Sequence, residues 1–221
     1  MFLGAIFDMD GLLFDTEKLY MRFWIEAANY YGYDMRREHV LSIRSMASFL
    51  ANERFKSFFG EDCDYYAIRQ KRRELMEVFI DENGIELKYG AREILDYLKK
   101  NNVKIGLATA TDYERTVKYL KMQNIYGYFD EIICASMVEK GKPHPDIYIE
   151  AVRRLGLKKE DCVAFEDSPN GIKAAYNAGV KVIMIPDLDE PDEDIRRLLY
   201  AKESNLKEAI KYFGLEEYYE H

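Results

Sequence analysis

Five short apolar runs recur along the chain: Leu3–Phe7 (LGAIF), Val103–Ala108 (VKIGLA), Ile132–Ala135 (IICA), Val163–Phe165 (VAF) and Val182–Ile185 (VIMI). Stretches of helical period separate them. Ala91, Ile94, Leu95 and Leu98 fall at i, i+3, i+4 and i+7, and so do Tyr148, Ala151, Val152 and Leu155; each set makes one apolar helix face. Gly156 and Gly179 stand where such helices end. Strands that alternate with helices pair in parallel, because only a crossover can return the chain to the same edge. The expected fold is therefore α/β, a Rossmann-like parallel sheet flanked by helices.

One region breaks the alternation. From Asp15 to Lys88 the pattern is helical, with one helix over Thr16–Tyr31 ending at Gly32 and others around Glu38–Phe59 and Tyr65–Asp81. A crossover needs only about a dozen or more residues, so this stretch reads as an inserted helical cap subdomain, residues 15–88, on a core built from residues 1–14 and 89–221. The acidic run Asp187–Asp194 reads as the start of a late helix with Pro191 near its first position.

Composition removes several classes of function. The chain has 221 residues, 48% hydrophobic, enough for a packed core and too apolar for disorder. A net charge of -8 disfavours nucleic acid, and Arg69–Arg73, the richest basic stretch, reads as a solvated helix face. Cys63, Cys134 and Cys162 are odd in number and far apart, which excludes a disulfide framework and a C-x-x-C metal site. Three histidines do not make a multi-histidine centre. No apolar run approaches the ~20 residues of a membrane span, and the N-terminus lacks the basic region of a secretory signal. The expectation is a soluble, cytoplasmic monomer that handles a small molecule, with no nucleic-acid or membrane partner.

The chemistry-bearing residues follow the apolar runs, where a parallel sheet binds its ligands. Asp8-Met9-Asp10-Gly11 follows the first run, Thr109-Ala110-Thr111-Asp112 the second, and Glu166-Asp167-Ser168 the fourth; Lys142 lies in the loop after the third. Asp8, Asp10, Glu166 and Asp167 gathered in a cleft would repel one another unless protonated or held by a cation. An all-oxygen donor set selects a hard ion such as Mg²⁺. Asp8 is suited to attack phosphorus, and Asp10, two residues on, to protonate the leaving alcohol. Lys142 and Thr109 would complete a phosphate cradle as charge and hydrogen-bond donor. Each element alone has a plainer reading. The D-x-D pair makes a turn, Asp15 or Thr16 caps a helix, Thr109 and Thr111 cap the next helix, and Lys142 is a solvated lysine. Their joint order along the strand ends is what those readings leave unexplained.

The stretches FDMDGLLFDT (Phe7–Thr16), LATATD (Leu107–Asp112), KGKPHPDIY (Lys140–Tyr148) and FEDSPNGIKAAYNAG (Phe165–Gly179) resemble the haloacid dehalogenase superfamily. The resemblance is to its phosphatase and phosphomutase branch, with a helical cap after the first strand. It implies Asp8 as nucleophile, Asp10 as acid/base, and Mg²⁺ held by Asp8, the Asp10 carbonyl, Glu166 and Asp167. Thr109 and Lys142 are implied as phosphate ligands, with Ala110 beside Thr109 in the substrate-binding set. An acid at position 10 points to a phosphate ester. The implied function is a Mg²⁺-dependent phosphatase acting on a small phosphorylated metabolite such as a sugar phosphate. The alternative is a sugar-phosphate mutase resembling beta-phosphoglucomutase, and a phospho-accepting signalling module ranks lower. Tyr20 stands where such a mutase is expected to carry a histidine. Arg44 is the candidate cap ligand for a second phosphate, with Lys71 or Arg73 as a further one.

Overall fold

The computed structural model describes residues 2–44, 46, 48–188 and 190–214. Each apolar run becomes a strand: β1 (Gly4–Phe7), β2 (Lys104–Thr109), β3 (Glu131–Cys134), β4 (Cys162–Glu166) and β5 (Lys181–Met184). A sixth, β6 (Ala201–Lys202), is two residues long, too short to leave a period-2 signal in the sequence. All neighbours pair in parallel in the order β3-β2-β1-β4-β5-β6. The strand order reverses between β1 and β4, which opens a crevice at their carboxyl ends. Phe7 is level with Leu107 on one side and Phe165 on the other. The Phe7 and Phe165 rings stack there with centroids 4.8 Å apart, each fully buried and contributing roughly 1.5–3 kcal/mol by burial.

Helices α5 (Ala91–Lys100), α6 (Tyr113–Met122), α7 (Asp146–Leu155), α8 (Pro169–Asn177) and α9 (Glu193–Arg196) flank the sheet segments in sequence. Ile147, Tyr148, Ala151 and Leu155 of α7 join Ile6, Ala108, Ile133 and Ala164 of the strands in one buried cluster. Gly156 closes α7 with φ +69°, a left-handed conformation that costs other residues a steric clash. Pro191 does not begin the late helix as expected. Asp192 caps α9, its side chain accepting from the Ile195 N–H, and Pro191 lies one residue outside, because a carboxylate at the cap satisfies a donor that proline at the first position merely lacks.

Residues 16–85 form a second compact unit, which the continuous chain enters after Asp15 and leaves after Ile85. It comprises α1 (Glu17–Tyr30), α2 (Arg37–Ile43), α3 (Ser48–Phe59) and α4 (Tyr65–Asn83). Ala27, Phe55, Tyr65 and Ile68 build its own core, with Trp24 stacked on Tyr65 at 5.7 Å. Thr16 stands at the N-cap of α1 but makes no side-chain cap bond. Among the described residues no helix is long and apolar enough to cross a membrane, and Cys63, Cys134 and Cys162 are buried free thiols.

Candidate active site

The register dictates the site. Because Phe7 and Phe165 are level, the residues that follow them, Asp8 and Glu166, emerge side by side, and the Asp8 N–H extends the ladder to the Phe165 carbonyl at 3.0 Å. Asp8, Glu166 and Asp167 are all buried, and one ligand oxygen from each lies within 4.8 Å of the others. Lys142 reaches into this group. Its ammonium donates to Asp8 Oδ1 at 2.5 Å, to Glu166 Oε1 at 2.6 Å and to the Ala108 carbonyl at 2.9 Å. That uses all the hydrogens an ammonium has, so in this state Lys142 acts as counter-ion to two carboxylates. Its pKa rises, because attraction to Asp8 and Glu166 outweighs the opposing cost of burial.

One ammonium does not balance three carboxylates. Burial pushes the Asp8 carboxyl up to about 7, with Lys142 opposing and the charges of Glu166 and Asp10 adding to the rise. A cation among these oxygens would relieve the repulsion. The donors are hard oxygens, which fits Mg²⁺ and not a thiolate-seeking metal.

Asp10 takes a different place from the other acids. Its Oδ2 accepts the Thr111 hydroxyl at 2.7 Å, while its Oδ1 is buried with no hydrogen-bond partner. Gly11 at φ +81° turns the chain so that its N–H meets the Phe14 carbonyl at 3.0 Å, a conformation that favours glycine. Thr109 is fully buried and accepts the Thr111 N–H at 3.0 Å. Asp112, and neither threonine, caps α6, its carboxylate taking the Arg115 N–H. Ala110 is exposed beside Thr109. Ser168 caps α8 through the Gly171 N–H.

Three residues near this rim left no signal in the sequence pattern. Thr111 looked like a helix cap and instead orients Asp10. Tyr148 looked like core periodicity, yet its hydroxyl donates to Glu166 Oε1 at 2.5 Å. Lys88 pairs with Asp187, which follows β5 and keeps a buried Oδ2 with no hydrogen-bond partner.

Arg44 belongs to the helical unit. Its Nε bonds Glu17 Oε2 at 3.0 Å, beside a cavity of about 270 Å³ lined by Tyr20, Trp24, Arg69 and Arg72 among others. The Arg72 guanidinium lies 4.8 Å from the Tyr20 ring centroid and 5.2 Å from that of Trp24. Of the basic stretch, Arg69 and Arg72, at i and i+3, line the cavity, and neither Lys71 nor Arg73, the sequence's alternatives for a further cap ligand, is among its lining residues. Lys71 instead pairs with Glu74 at 3.7 Å and covers the Tyr30 ring.

Comparison with known proteins identifies the family. The model of the haloacid dehalogenase-like hydrolase family matches residues 5–185. A phosphorylated carbohydrates phosphatase of Thermotoga maritima is 31% identical over 191 residues, 81% of this chain and 83% of the relative. Hexitol phosphatase B of Escherichia coli is 30% identical over 217 residues, 93% of each chain. Among solved structures, CbbY from Rhodobacter sphaeroides in complex with phosphate superposes with a TM-score of 0.77 at 26% identity, covering 94% of this chain and 96% of that one. With the match spanning most of its length and the acidic crevice in place, the chain belongs to the haloacid dehalogenase-like hydrolases.

Proposed function

We propose that the protein is a Mg²⁺-dependent phosphatase that hydrolyses a small phosphorylated sugar or polyol through an aspartyl-phosphate. The observation that carries the reading is the division of labour at the β1–β4 crevice: a buried Asp8 clasped by Lys142 beside Glu166, and an Asp10 whose Oδ1 is left without a partner. Asp8 attacks phosphorus; the ester P–O bond breaks, and Asp10 gives its proton to the leaving alkoxide. Asp10 then takes a proton from water as that water attacks the aspartyl-phosphate, releasing phosphate and restoring Asp8. Thr111 holds Asp10 in place for both transfers. Thr109, and Lys142 once substrate competes for its hydrogens, bind the phosphoryl oxygens. Asp8, Glu166, Asp167 and the Asp10 carbonyl would hold the ion. When bound, Mg²⁺ supplies positive charge next to the transferring group.

The substrate class is supported by the names of the relatives, which act on phosphorylated carbohydrates and hexitol phosphates. The aromatic and hydroxyl-bearing cavity of the helical unit offers matching chemistry. Buried free thiols support a reducing, cytoplasmic setting.

A panel of hexitol, hexose and pentose phosphates, with both anomers of glucose 1-phosphate, tests the reading by phosphate release with Mg²⁺. Release from one polyol or sugar phosphate at kcat/KM above ~10⁴ M⁻¹s⁻¹ is expected. Conversion of beta-glucose 1-phosphate to glucose 6-phosphate without phosphate release would replace the hydrolase with a mutase.

A further inference from the structure

Glu166 is engaged from more than one helix and loop of the crevice. It is fully buried, and its two short contacts, from the Lys142 ammonium at 2.6 Å and the Tyr148 hydroxyl at 2.5 Å, meet the same oxygen, Oε1, whereas Oε2 has only the long contact from the Ser168 hydroxyl at 3.5 Å. Gly171 forms the floor beneath its carboxylate: a Cβ built there would overlap both carboxylate oxygens. Gly171 has no need of glycine for its backbone, since it sits in the first turn of α8 without a positive φ. The missing side chain serves the space above it. Tyr148 is likewise more than packing. It lies fully buried on α7, a helix that carries none of the reacting groups. A phenylalanine would fill the same volume without the cost of burying a hydroxyl. Its ring also stands 5.3 Å from the Lys142 ammonium.

We propose that Tyr148 is a positioning residue: its hydroxyl and the bare face of Gly171 together fix the Glu166 carboxylate so that Oε1 is taken by Tyr148 and Lys142 and Oε2 is presented to the divalent cation. The inference rests on the metal-dependent reading above and adds to it the device that sets the ligand's orientation. Partners behind a metal ligand typically change metal affinity by about 10–100-fold when removed. Their loss leaves the substrate's own contacts in place.

The test titrates Mg²⁺ into the metal-free full chain by calorimetry and follows p-nitrophenyl phosphate turnover at each concentration, for wild type, Tyr148→Phe and Gly171→Ala. Tyr148→Phe should raise the Mg²⁺ midpoint about tenfold in both readouts. The KM for p-nitrophenyl phosphate at saturating Mg²⁺ should stay within twofold, and the metal-free Tm within a few degrees. Gly171→Ala, a change that favours the helix itself, should raise the same midpoint by displacing Glu166. A Mg²⁺ midpoint within twofold of wild type in Tyr148→Phe overturns the proposal. Should that variant not fold, an unchanged midpoint in Gly171→Ala overturns it instead. A wild type that turns over fully in EDTA would sink the metal-dependent reading itself, whereas a Mg²⁺-dependent wild type with an indifferent Tyr148→Phe sinks only the role of Tyr148.

Discussion

The two compact units place polar residues by different rules. At the sheet rim, neighbouring strands end level with one another, so the residues after β1 and β4 are neighbours whatever their side chains. Register brings Asp8 and Glu166 side by side, and a carboxylate oxygen of Asp167 lies near both. In the helical unit no ladder sets positions. Which arginines of Arg69, Arg72 and Arg73 face the cavity depends on how α4 is rotated against α1, and Arg72 is held there by the faces of Tyr20 and Trp24. Single changes at the rim should therefore have large effects, and single changes around the helical unit's cavity graded ones.

The sharpest way to break that contrast is Asp8→Asn. Turnover of p-nitrophenyl phosphate should fall by ~10³-fold or more with circular dichroism unchanged, and a loss under tenfold would remove Asp8 as nucleophile. Asp10→Asn should cost about 10²–10³-fold on glycerol 3-phosphate and much less on p-nitrophenyl phosphate, whose leaving group needs no proton. Equal losses would remove Asp10 as general acid. Thr111→Val should show the same asymmetry at about tenfold, since it only frees Asp10 to rotate. In the helical unit, Arg44→Ala should raise KM for the best sugar or polyol phosphate about tenfold while sparing kcat on p-nitrophenyl phosphate. A fall in kcat on both substrates would erase the distinction between the units.

The smallest effect concerns stability without metal. The folded-state pKa of Asp8 is raised from 3.8 to about 7, chiefly by burial, so the native state binds a proton more tightly than the unfolded chain. Stability from this group is present below about pH 4 and is lost as pH rises toward 7. In EDTA, the Tm advantage of Asp8→Asn over wild type should grow by a few degrees between pH 5 and 8, and saturating Mg²⁺ should abolish it. A constant difference across that range would mean the site carries no proton burden.

Much of the rim was legible because its signal is local. An acid directly after an apolar strand announces its own position, and so Asp8, Asp10, Glu166 and Asp167 could be named before any fold was seen. Lys142 was legible as a candidate at the rim but not in its contacts, because a long side chain in a loop reaches whatever charge the fold brings near. Tyr148 could not be distinguished from core periodicity: its ring obeys the helical pattern, and only its hydroxyl departs from it. Arg69 and Arg72 were hidden by Lys71 and Arg73, since four basic residues in five positions cover every face of a helix.

The amino-acid order alone determined the parallel sheet, the helical insertion and the identity of the acids, because strand and helix periods and strand-end residues are properties of short segments. The tertiary structure alone decided which oxygens of Asp8, Asp10 and Glu166 are engaged, that the Thr111 hydroxyl meets Asp10, that Gly171 and Tyr148 lie against Glu166, and that Arg44 is tied to Glu17. Those pairings join residues that are distant in sequence or aimed by packing, and hydrogen-bond geometry is settled at a scale of tenths of an ångström that no local pattern encodes.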